Sequence, residues 1–426
     1  MKTDIRIING NQIGGCITVI STETAKIVID FGESLPGSEK KDDIEFDWGK
    51  ERVDAVFFTH YHGDHIGRFM EIPDNVPLYM GEVTYNVMLN IWDALSSSDL
   101  KMKAEAEALR NRENIHFLIP NKTETVGDIK VTPYSVDHSA FDAYMFLINA
   151  YDEFILHTGD YRDHGHRGQK KGKDGKDRNI VLEVIEKYIL DHHKRKINVL
   201  ITEGTMLTRL NDDEYSEKQM LVDARQYFAD NKYIFLKISS TNADSLATFA
   251  KAAKAKGMKM YVSSYLLKQI DVYRAAGSGH NTNMYAFENV IPFMPNPVNC
   301  LSDAQRASAE KQRWYMRKDG FVIVASEKEY FEDTVNEFSD LPVKTIYSLW
   351  KGYLDKNKAA FNEQLYNFYK KQNAKIMHTS GHAYPRLIAD VINLVEPTEA
   401  IFPIHTEAAG ELRNLDIKPE LKERIR

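Results

Sequence analysis

The stretch Thr59-His60-Tyr61-His62-Gly63-Asp64-His65 decides how the fold of this chain is interpreted. It reads H-x-H-x-D-H and follows a largely apolar run at 53–58, so we expect it to begin where a strand ends. Imidazole and carboxylate side chains are ligands that zinc and similar divalent ions take in proteins. The motif therefore predicts a metal site at a strand end, and the alternative is a surface loop that happens to be rich in histidine.

The spacing within the motif indicates two metal ions. His60 and His62 lie two residues apart, so an extended or looped backbone can aim both at one ion. Asp64 and His65 are adjacent and point in different directions, which suits a second ion beside the first. The chain has 14 histidines among 426 residues, so a chance gathering of these ligands is a poor explanation.

Length and composition indicate a multidomain protein of the cytoplasm. The 426 residues suffice for two or three domains, and contents of 43% hydrophobic and 11% aromatic residues supply a sizeable core. No apolar run reaches the length of a transmembrane helix, and Met1–Ile7 lacks the pattern of a signal peptide. Two cysteines, Cys16 and Cys300, fit a reducing compartment. We expect no membrane partner.

Charge alone does not favour a nucleic-acid partner, because the formal net charge is -7. Binding of a polyanion would need local basic patches.

Residues 163–178 (DHGHRGQKKGKDGKDR) contain four glycines, a run of Lys and Arg and almost no apolar side chain, which predicts a mobile loop. Its charges are either simply solvated or form a basic lip that contacts phosphates. His164 and His166 are not counted as ligands, since a mobile loop preorganises them poorly.

The middle of the chain is predicted to be an inserted domain. Helix-like and strand-like patterns alternate there, which indicates a mostly parallel sheet with helices on its faces. No metal-type spacing occurs between Glu203 and His378. We therefore assign 206–371 to the insertion, and 1–205 with 372–426 to a discontinuous catalytic domain.

Polar residues with metal or acid–base chemistry recur where strand-like runs end. In a layered α/β fold such ends meet at one edge of a sheet, so we expect one crevice to collect them. The residues are Asp30, His60, His62, Asp64, His65, His138, Asp160, Glu203, His382 and His405.

This set is large enough for two ions with a shared carboxylate. A pair of ions needs one bridging group and roughly three further ligands each. We predict that His60, His62 and His138 bind one ion, that Asp64, His65 and His405 bind the other, and that Asp160 bridges them. A water between the ions would lose a proton near pH 7 and act as the nucleophile. Asp30 either orients a metal-bound histidine or caps a turn.

Several of these motifs resemble known families. H-x-H-x-D-H, His138 and Gly159-Asp160 resemble the metallo-β-lactamase superfamily, an αββα sandwich with a dinuclear site. Glu203, Ser380-Gly381-His382-Ala383 and Pro403-Ile404-His405-Thr406-Glu407 are similar to the three motifs of the β-CASP nucleases, and among these to ribonuclease J. The resemblance covers nearly the whole chain and implies an α/β fold in which an α/β β-CASP domain is inserted into the sandwich.

The resemblance also implies an activity. It indicates a two-metal ribonuclease that hydrolyses RNA phosphodiester bonds as an exonuclease, an endonuclease or both. The two divalent ions would be zinc, with manganese as the alternative. Glu203 and His382 would act together on the leaving oxygen, and Asp64 would belong to both the catalytic and the metal-binding set. The oligomeric state stays open, with a homodimer among the states allowed.

Three other functions remain to be separated from this one. They are a DNA nuclease of the same architecture, a small-molecule hydrolase of a lactone or thioester, and a non-enzymatic RNA-binding or scaffold protein.

Ser239, Ser240, Thr241 and Asn242 follow a predicted strand. They either donate hydrogen bonds to phosphates of the substrate or cap the next helix.

Overall fold

The computed structural model describes residues 3–35, 46–97, 99–171, 177–210, 213–278, 283–328 and 331–426. The strands are β1 (Asp4–Ile8), β2 (Ile17–Ser21), β3 (Lys26–Ile29), β4 (Ala55–Phe57), β5 (Leu78–Met80), β6 (Ile115–Phe117), β7 (Glu124–Val126), β8 (Ile129–Val136), β9 (Ala143–Ala150), β10 (Glu153–His157), β11 (Gln169–Lys171), β12 (Asp177–Asn179), β13 (Val199–Glu203), β14 (Tyr233–Ile238), β15 (Lys259–Val262), β16 (Val290–Pro292), β17 (Phe321–Val324), β18 (Lys344–Ser348), β19 (Lys375–Ile376) and β20 (Ala400–Ile404).

The α-helices are α1 (Gly63–Ile66), α2 (Glu82–Leu95), α3 (Leu100–Asn111), α4 (Ile180–Val184), α5 (Glu217–Asp230), α6 (Ala243–Lys254), α7 (Ser264–Gly277), α8 (Asp303–Asp319), α9 (Glu332–Glu337), α10 (Glu363–Gln372), α11 (Pro385–Val395) and α12 (Pro419–Lys422). A π-helical segment, Ile185–Ile189, continues α4. The predicted α/β class is confirmed. Within the described residues, no helix is both long and apolar enough to cross a membrane.

The chain divides into two compact units, and the first carries two sheets. The first unit comprises Met1–Glu214 and Gly381–Arg426, and the second Tyr215–Ser380. In the first unit, one sheet has the order β1-β2-β3-β4-β5-β6 and the other the order β20-β13-β10-β9-β8-β7. A separate two-stranded ribbon is formed by β11 and β12.

Alternation of side chains along the strands builds the layers of the first unit. In β13, Val199 and Ile201 belong to a core shared with Ile29 and Phe57 of the other sheet. Leu200, which points to the opposite face, joins a second core that contains apolar side chains of α4 and α11. Both faces of this sheet are therefore buried, one against the other sheet and one against helices.

Strand direction in the second sheet of this unit brings several chain segments to one edge. Strands β8 and β10 are each antiparallel to β9, while β10, β13 and β20 are mutually parallel. Strands β8, β10, β13 and β20 therefore run in the same direction, and their carboxyl ends share one edge. The residues that follow them include His138, Asp160 and His405.

The second unit is built on one parallel sheet of order β16-β15-β17-β14-β18-β19. Helix α6 is buried along most of its length. The boundaries of this unit lie further along the chain than the 206–371 assigned from the sequence. Its final strand explains the later end, because Lys375 pairs with Ile346 of β18. Its assignment as an inserted β-CASP domain stays a prediction.

Within the predicted mobile loop at 163–178, the structure has buried residues and two paired strands. Asp163 and His164 are buried, and β11 pairs with β12 in this stretch. Residues 172–176 of the predicted loop lie outside the described residues. The polar composition misled because the polar groups at the start of the stretch have partners inside the protein, as the hydrogen bond from the Gly165 N–H to Asp137 shows.

His157, the last residue of β10, makes the stability of the fold depend on pH. Its Nδ1 accepts a hydrogen bond from the Gly159 N–H at 3.1 Å, and its Nε2 lies 3.2 Å from Thr18 Oγ1. Burial lowers the pKa of His157 to about 4. The unfolded chain, with a pKa of about 6.5, binds a proton that the folded chain excludes, so stability falls as pH drops through this window.

When the pH is lowered from 6 to 5, the unfolding free energy of the parent protein should fall by about 1.2 kcal/mol more than that of the His157→Gln variant. Urea unfolding across this range measures the two slopes. His193→Gln, at a site where the side chain is 62% exposed, is the control and should keep the parent slope. Equal slopes for the parent and His157→Gln would contradict the prediction.

Candidate metal centre

The central motif forms a tight turn between β4 and α1. His60 follows β4, His62 is the residue before α1, and Asp64 and His65 lie within that short helix. A glycine at position 32 allows the chain after β3 to approach it. A Cβ on Gly32 would lie 1.9 Å from the Asp64 carbonyl oxygen, so only glycine fits there.

The first predicted ligand group is assembled from two loops. His60 Nε2 lies 2.9 Å from His62 Nδ1, and His138 Nε2 lies 3.2 Å from the same His62 atom. One ligand nitrogen from each of the three side chains falls within 4.8 Å of the others. The structure thus brings together the three histidines that the sequence assigned to one ion.

The second predicted group is equally compact. His405 Nε2 lies 3.0 Å from Asp64 Oδ2, and His65 Nε2 lies 3.7 Å from that oxygen. The three ligand atoms again lie within 4.8 Å of one another. His405 reaches the site from the end of β20, more than three hundred residues after Asp64.

Asp160 lies between the two groups. Its Oδ2 is 3.2 Å from His65 Nε2, 3.9 Å from His60 Nε2 and 4.0 Å from His138 Nε2. Within the part of the chain that the structure describes, Asp160 Oδ2 and His65 Nε2 are both buried without a hydrogen-bond partner. A buried carboxylate oxygen that lies among imidazole nitrogens is what a divalent cation requires, so these residues fit the metal.

Partners outside the ligand groups fix the orientation of the imidazoles. His65 Nδ1 lies 2.8 Å from Asp30 Oδ2, His138 Nδ1 lies 2.6 Å from the Gly381 carbonyl oxygen, and His405 Nδ1 lies 2.8 Å from Thr205 Oγ1. An Nδ1–H that donates to such a group leaves Nε2 free to bind a metal.

Asp30 contacts both His65 and Thr59. Besides meeting His65, its carboxylate accepts hydrogen bonds from the backbone N–H and the hydroxyl of Thr59, at 2.7 and 2.8 Å. Its φ of 59° lies in the left-handed region, as does the φ of 52° at His405. Such backbone strain in non-glycine residues is common at functional sites.

Burial keeps the first histidine group neutral. It lowers the pKa of His60 and of His138 well below the usual value and that of His62 to about 4, because the imidazolium loses its hydration. Neutral imidazoles have a lone pair to offer, so this group is suited to bind a cation over the physiological range.

The second group is polarised by carboxylates. For His65, burial disfavours the charged form, but the carboxylates of Asp160, Asp64 and Asp30 outweigh it and raise the pKa. For Asp160, burial alone would raise the pKa, but His405, His65 and other imidazoles hold it well below the usual value. The carboxylates and imidazoles of this group therefore favour each other's charged forms.

Glu203 and His382 lie in direct contact beside the ligand groups. Glu203 Oε2 is 3.1 Å from His382 Nδ1, while Oε1 accepts hydrogen bonds from the backbone N–H groups of Tyr161 and Ala383. Glu203 is fully buried, whereas the side chain of His382 is 22% exposed. Burial opposes the charged form of His382, but Glu203 and Asp160 prevail and raise its pKa.

His382 also lies within reach of Asp160. Its Nδ1 is 3.5 Å from Asp160 Oδ2, and His138, Asp160 and His382 form a further group of ligand atoms within 4.8 Å. The position of His382 is therefore compatible with two roles, proton transfer and metal binding.

The four weakly predicted substrate residues lie in the second unit, after β14. Asn242 caps α6 by accepting a hydrogen bond from the Ser245 N–H at 3.0 Å. Ser239 Oγ lies 2.7 Å from Thr241 Oγ1, and Ser240 Oγ lies 2.8 Å from the Tyr265 hydroxyl. Ser239 and Ser240 also line a cavity of about 720 Å³. Contact with a phosphate stays a prediction for all four.

Sequence reasoning missed the residues that hold the ligand loops in place. Thr59 lies directly before the motif, and its backbone N–H and hydroxyl donate hydrogen bonds to the Asp30 carboxylate. Arg167 donates to three carbonyl oxygens of the loop that carries His138. Nothing in the spacing of Arg167 distinguishes it from a solvated surface arginine, so the sequence offered no signal for it.

Comparison with known proteins identifies the segment that carries the H-x-H-x-D-H motif, His138 and Asp160. Residues 13–166 match the profile of the metallo-beta-lactamase superfamily. They form a metallo-beta-lactamase domain. The predicted resemblance is thereby confirmed, and the superfamily implies divalent metal ions at the centre described above.

Relatives extend the similarity to the rest of the chain. Ribonuclease J from Helicobacter pylori strain J99 is 28% identical over 420 residues, which is 93% of this chain and 54% of the relative. Endoribonuclease ysh1 from Emericella nidulans is 27% identical over 213 residues, 46% of this chain and 22% of the relative. The chain thus spans about half the length of the ribonuclease J relatives that it matches.

A solved structure shares the fold across both units. The crystal structure of a protein of unknown function from Enterococcus faecalis V583 aligns with a TM-score of 0.65 and 19% sequence identity. The alignment covers 97% of this chain and 96% of that protein. This similarity supports the fold alone.

Binding of divalent ions should stabilise the protein, because the ligand groups exist only in the folded state. At a free ion concentration of about 100 times Kd, one site adds about 2.7 kcal/mol to the unfolding free energy. We expect Asp160→Asn to lose most of this gain. Asp416→Asn, at an exposed position, should retain it. Urea unfolding of chelator-treated protein with and without added zinc measures the difference, and an equal gain in both variants would contradict the role of Asp160.

Proposed function

We propose that this protein is a two-metal ribonuclease that hydrolyses phosphodiester bonds in RNA. The observation that supports it best is the position of the buried Asp160 Oδ2, which lies 3.2 to 4.0 Å from nitrogen atoms of His65, His60 and His138. A carboxylate oxygen between two groups of imidazoles suits a pair of divalent ions. Zinc is the ion that these ligands favour, with manganese as the alternative.

Each ligand group would hold one ion. His60, His62 and His138 would bind the first, and Asp64, His65 and His405 the second, with Asp160 between them. When bound, two such ions supply a nucleophile at neutral pH and neutralise the charge that develops on a phosphoryl group.

The protein's own contribution to bond cleavage would come from Glu203 and His382. A departing alkoxide requires a proton, and His382 is a partly exposed histidine of the site. The buried Glu203 carboxylate contacts His382 Nδ1, which fixes the tautomer and directs Nε2 away from that carboxylate. Although burial opposes the charged form of His382, the Glu203 and Asp160 carboxylates raise its pKa, which favours the protonated form that a general acid needs.

Similarity to named ribonucleases supports RNA as the substrate. Proteins named ribonuclease J match 93% of the chain, so the resemblance includes the second unit. That unit is proposed to be a β-CASP domain. The chain contains two cysteines, both free, which supports our proposal of a cytoplasmic location.

Cleavage assays with matched substrates test the proposal. Metal-loaded protein should cleave single-stranded RNA that carries a 5′-monophosphate, a 5′-triphosphate or a 5′-hydroxyl more rapidly than DNA of the same sequence. End labels at either terminus separate exonuclease from endonuclease products. Preference for DNA, or hydrolysis of a lactone or thioester in place of RNA, would overturn the proposal in favour of those activities. Failure on every substrate with metal bound would favour a scaffold.

Removal of His382 should separate its two geometric roles. We expect His382→Ala to reduce kcat by about 10²- to 10⁴-fold, the usual range for loss of a general acid. Metal content, measured by elemental analysis, should stay at the parent value. His193→Ala removes a histidine that is 62% exposed and serves as the control. Loss of one ion together with activity would instead assign His382 to the metal ligands.

A further inference from the structure

The segment Arg162–Gly168 follows Asp160 and contacts two other loops of the metal centre. We propose that this segment, here named the brace, positions the centre through two side chains: Arg167 holds the His138 loop, and Asp163 holds the His382 loop through Arg386. The inference rests on the proposed function, since it assigns roles at the same site. In this proposal the segment positions the metal centre, in place of the phosphate-contacting basic lip that the sequence suggested.

Arg167 is the arm that holds the His138 loop. Its guanidinium donates to the carbonyl oxygens of His138 at 3.1 Å and Ala140 at 2.7 Å, and also to that of Phe141. The guanidinium carbon stacks 4.8 Å from the centre of the Phe141 ring. Backbone carbonyls of a buried loop require donors, and here a single planar cation supplies three of them.

The brace is itself anchored to the residue before His138. The Arg162 N–H donates to the Asp137 carbonyl oxygen at 2.7 Å, and the Gly165 N–H donates to the Asp137 carboxylate at 2.8 Å. A Cβ at Gly168 would lie 2.4 Å from backbone atoms of Asp163. The glycines that suggested mobility therefore permit close packing, and they bring Arg167 to the loop that it contacts.

Asp163 is the arm that holds the His382 loop. This carboxylate is buried, with 2% of the side chain exposed, and accepts a hydrogen bond from Arg386 at 2.9 Å. Arg386 lies at the start of α11, four residues after His382. Asn179 donates to the same Asp163 oxygen at 2.8 Å, and the neighbouring His164 ring lies 4.6 Å from the ring of Tyr384. These contacts tie the segment after Asp160 to the segment after His382.

The two arms should affect different properties. His138 is a predicted ligand, and loss of a group that orients a ligand typically costs 10- to 100-fold in metal affinity. His382 is predicted to move a proton, so a small displacement lowers the rate without loss of metal. A basic lip that binds phosphates would act differently from both, because its loss would raise KM for RNA and leave metal affinity unchanged.

Metal titration tests the Arg167 arm without any substrate. We expect Arg167→Lys to weaken binding of one zinc ion by about 10- to 100-fold in competition with a chromophoric chelator, because lysine cannot span three carbonyl groups. Arg178→Lys is the matched control, since Arg178 meets Glu183 at the surface. Unchanged zinc affinity with a raised KM would overturn the brace in favour of a phosphate-binding lip. Unchanged zinc affinity and KM would overturn it as well.

Asp163→Asn and Asp390→Asn together test the Asp163 arm, because both carboxylates contact the guanidinium of Arg386. Arg386 donates hydrogen bonds to Asp163, to Asp390 and to Glu214. We expect Asp163→Asn to lower kcat by about 10- to 100-fold with metal content and KM unchanged, and Asp390→Asn to retain the parent kcat. Equal kcat in the two variants would overturn this arm.

A further variant keeps the Asp163 test decisive if Asp163→Asn fails to fold. Arg386 is 48% exposed, so Arg386→Lys should fold, which circular dichroism verifies. It should show the same selective loss of kcat, and a parent-like kcat would overturn the arm. If the parent protein cleaves no RNA, the proposed function fails, whereas the zinc titration of Arg167→Lys still decides whether the Arg167 arm positions the metal centre.

Discussion

The structure of the first unit depends on the balance of charge around one buried carboxylate. Asp160 Oδ2 is within 4.0 Å of imidazole nitrogens from His60, His65, His138 and His382. Ionised and ionisable groups lose hydration when they are buried, so such a cluster is stable only if each charge meets an opposite charge, a hydrogen bond or a metal. The position of this buried oxygen among four imidazoles suits a divalent cation, which would complete this balance.

The sheet architecture serves this cluster by delivering side chains from distant parts of the chain. Strands β8, β10, β13 and β20 end at one edge, and the residues just beyond them carry ligands or the Glu203–His382 pair. The apolar residues on both faces of the sheet hold these ends rigidly. A rigid edge matters because metal ligands and proton donors act only over short distances.

Some parts of the site were predictable and others were not. His60, His62, Asp64 and His65 were predictable because their spacing is local, and the remaining predicted ligands because each follows an apolar run. The stretch at 163–178 was misjudged because a polar, glycine-rich sequence has the same composition whether it is solvated or packed. Asp163 and Arg167 have partners such as Arg386 and the His138 carbonyl, which no local pattern reveals.

The sequence by itself determined the ligand types, the spacing of the first motif and the alternation that places strands and helices. Those properties are local, since they depend on side-chain chemistry and on the periods of regular structure. The sequence grouped His405 with Asp64 and, by resemblance, Glu203 with His382. Only the tertiary structure decided which atoms of these pairs meet and that the chain returns to the first unit at Gly381. Contacts between residues hundreds of positions apart are decided by how whole sheets pack, because their energy comes from burial shared among many residues.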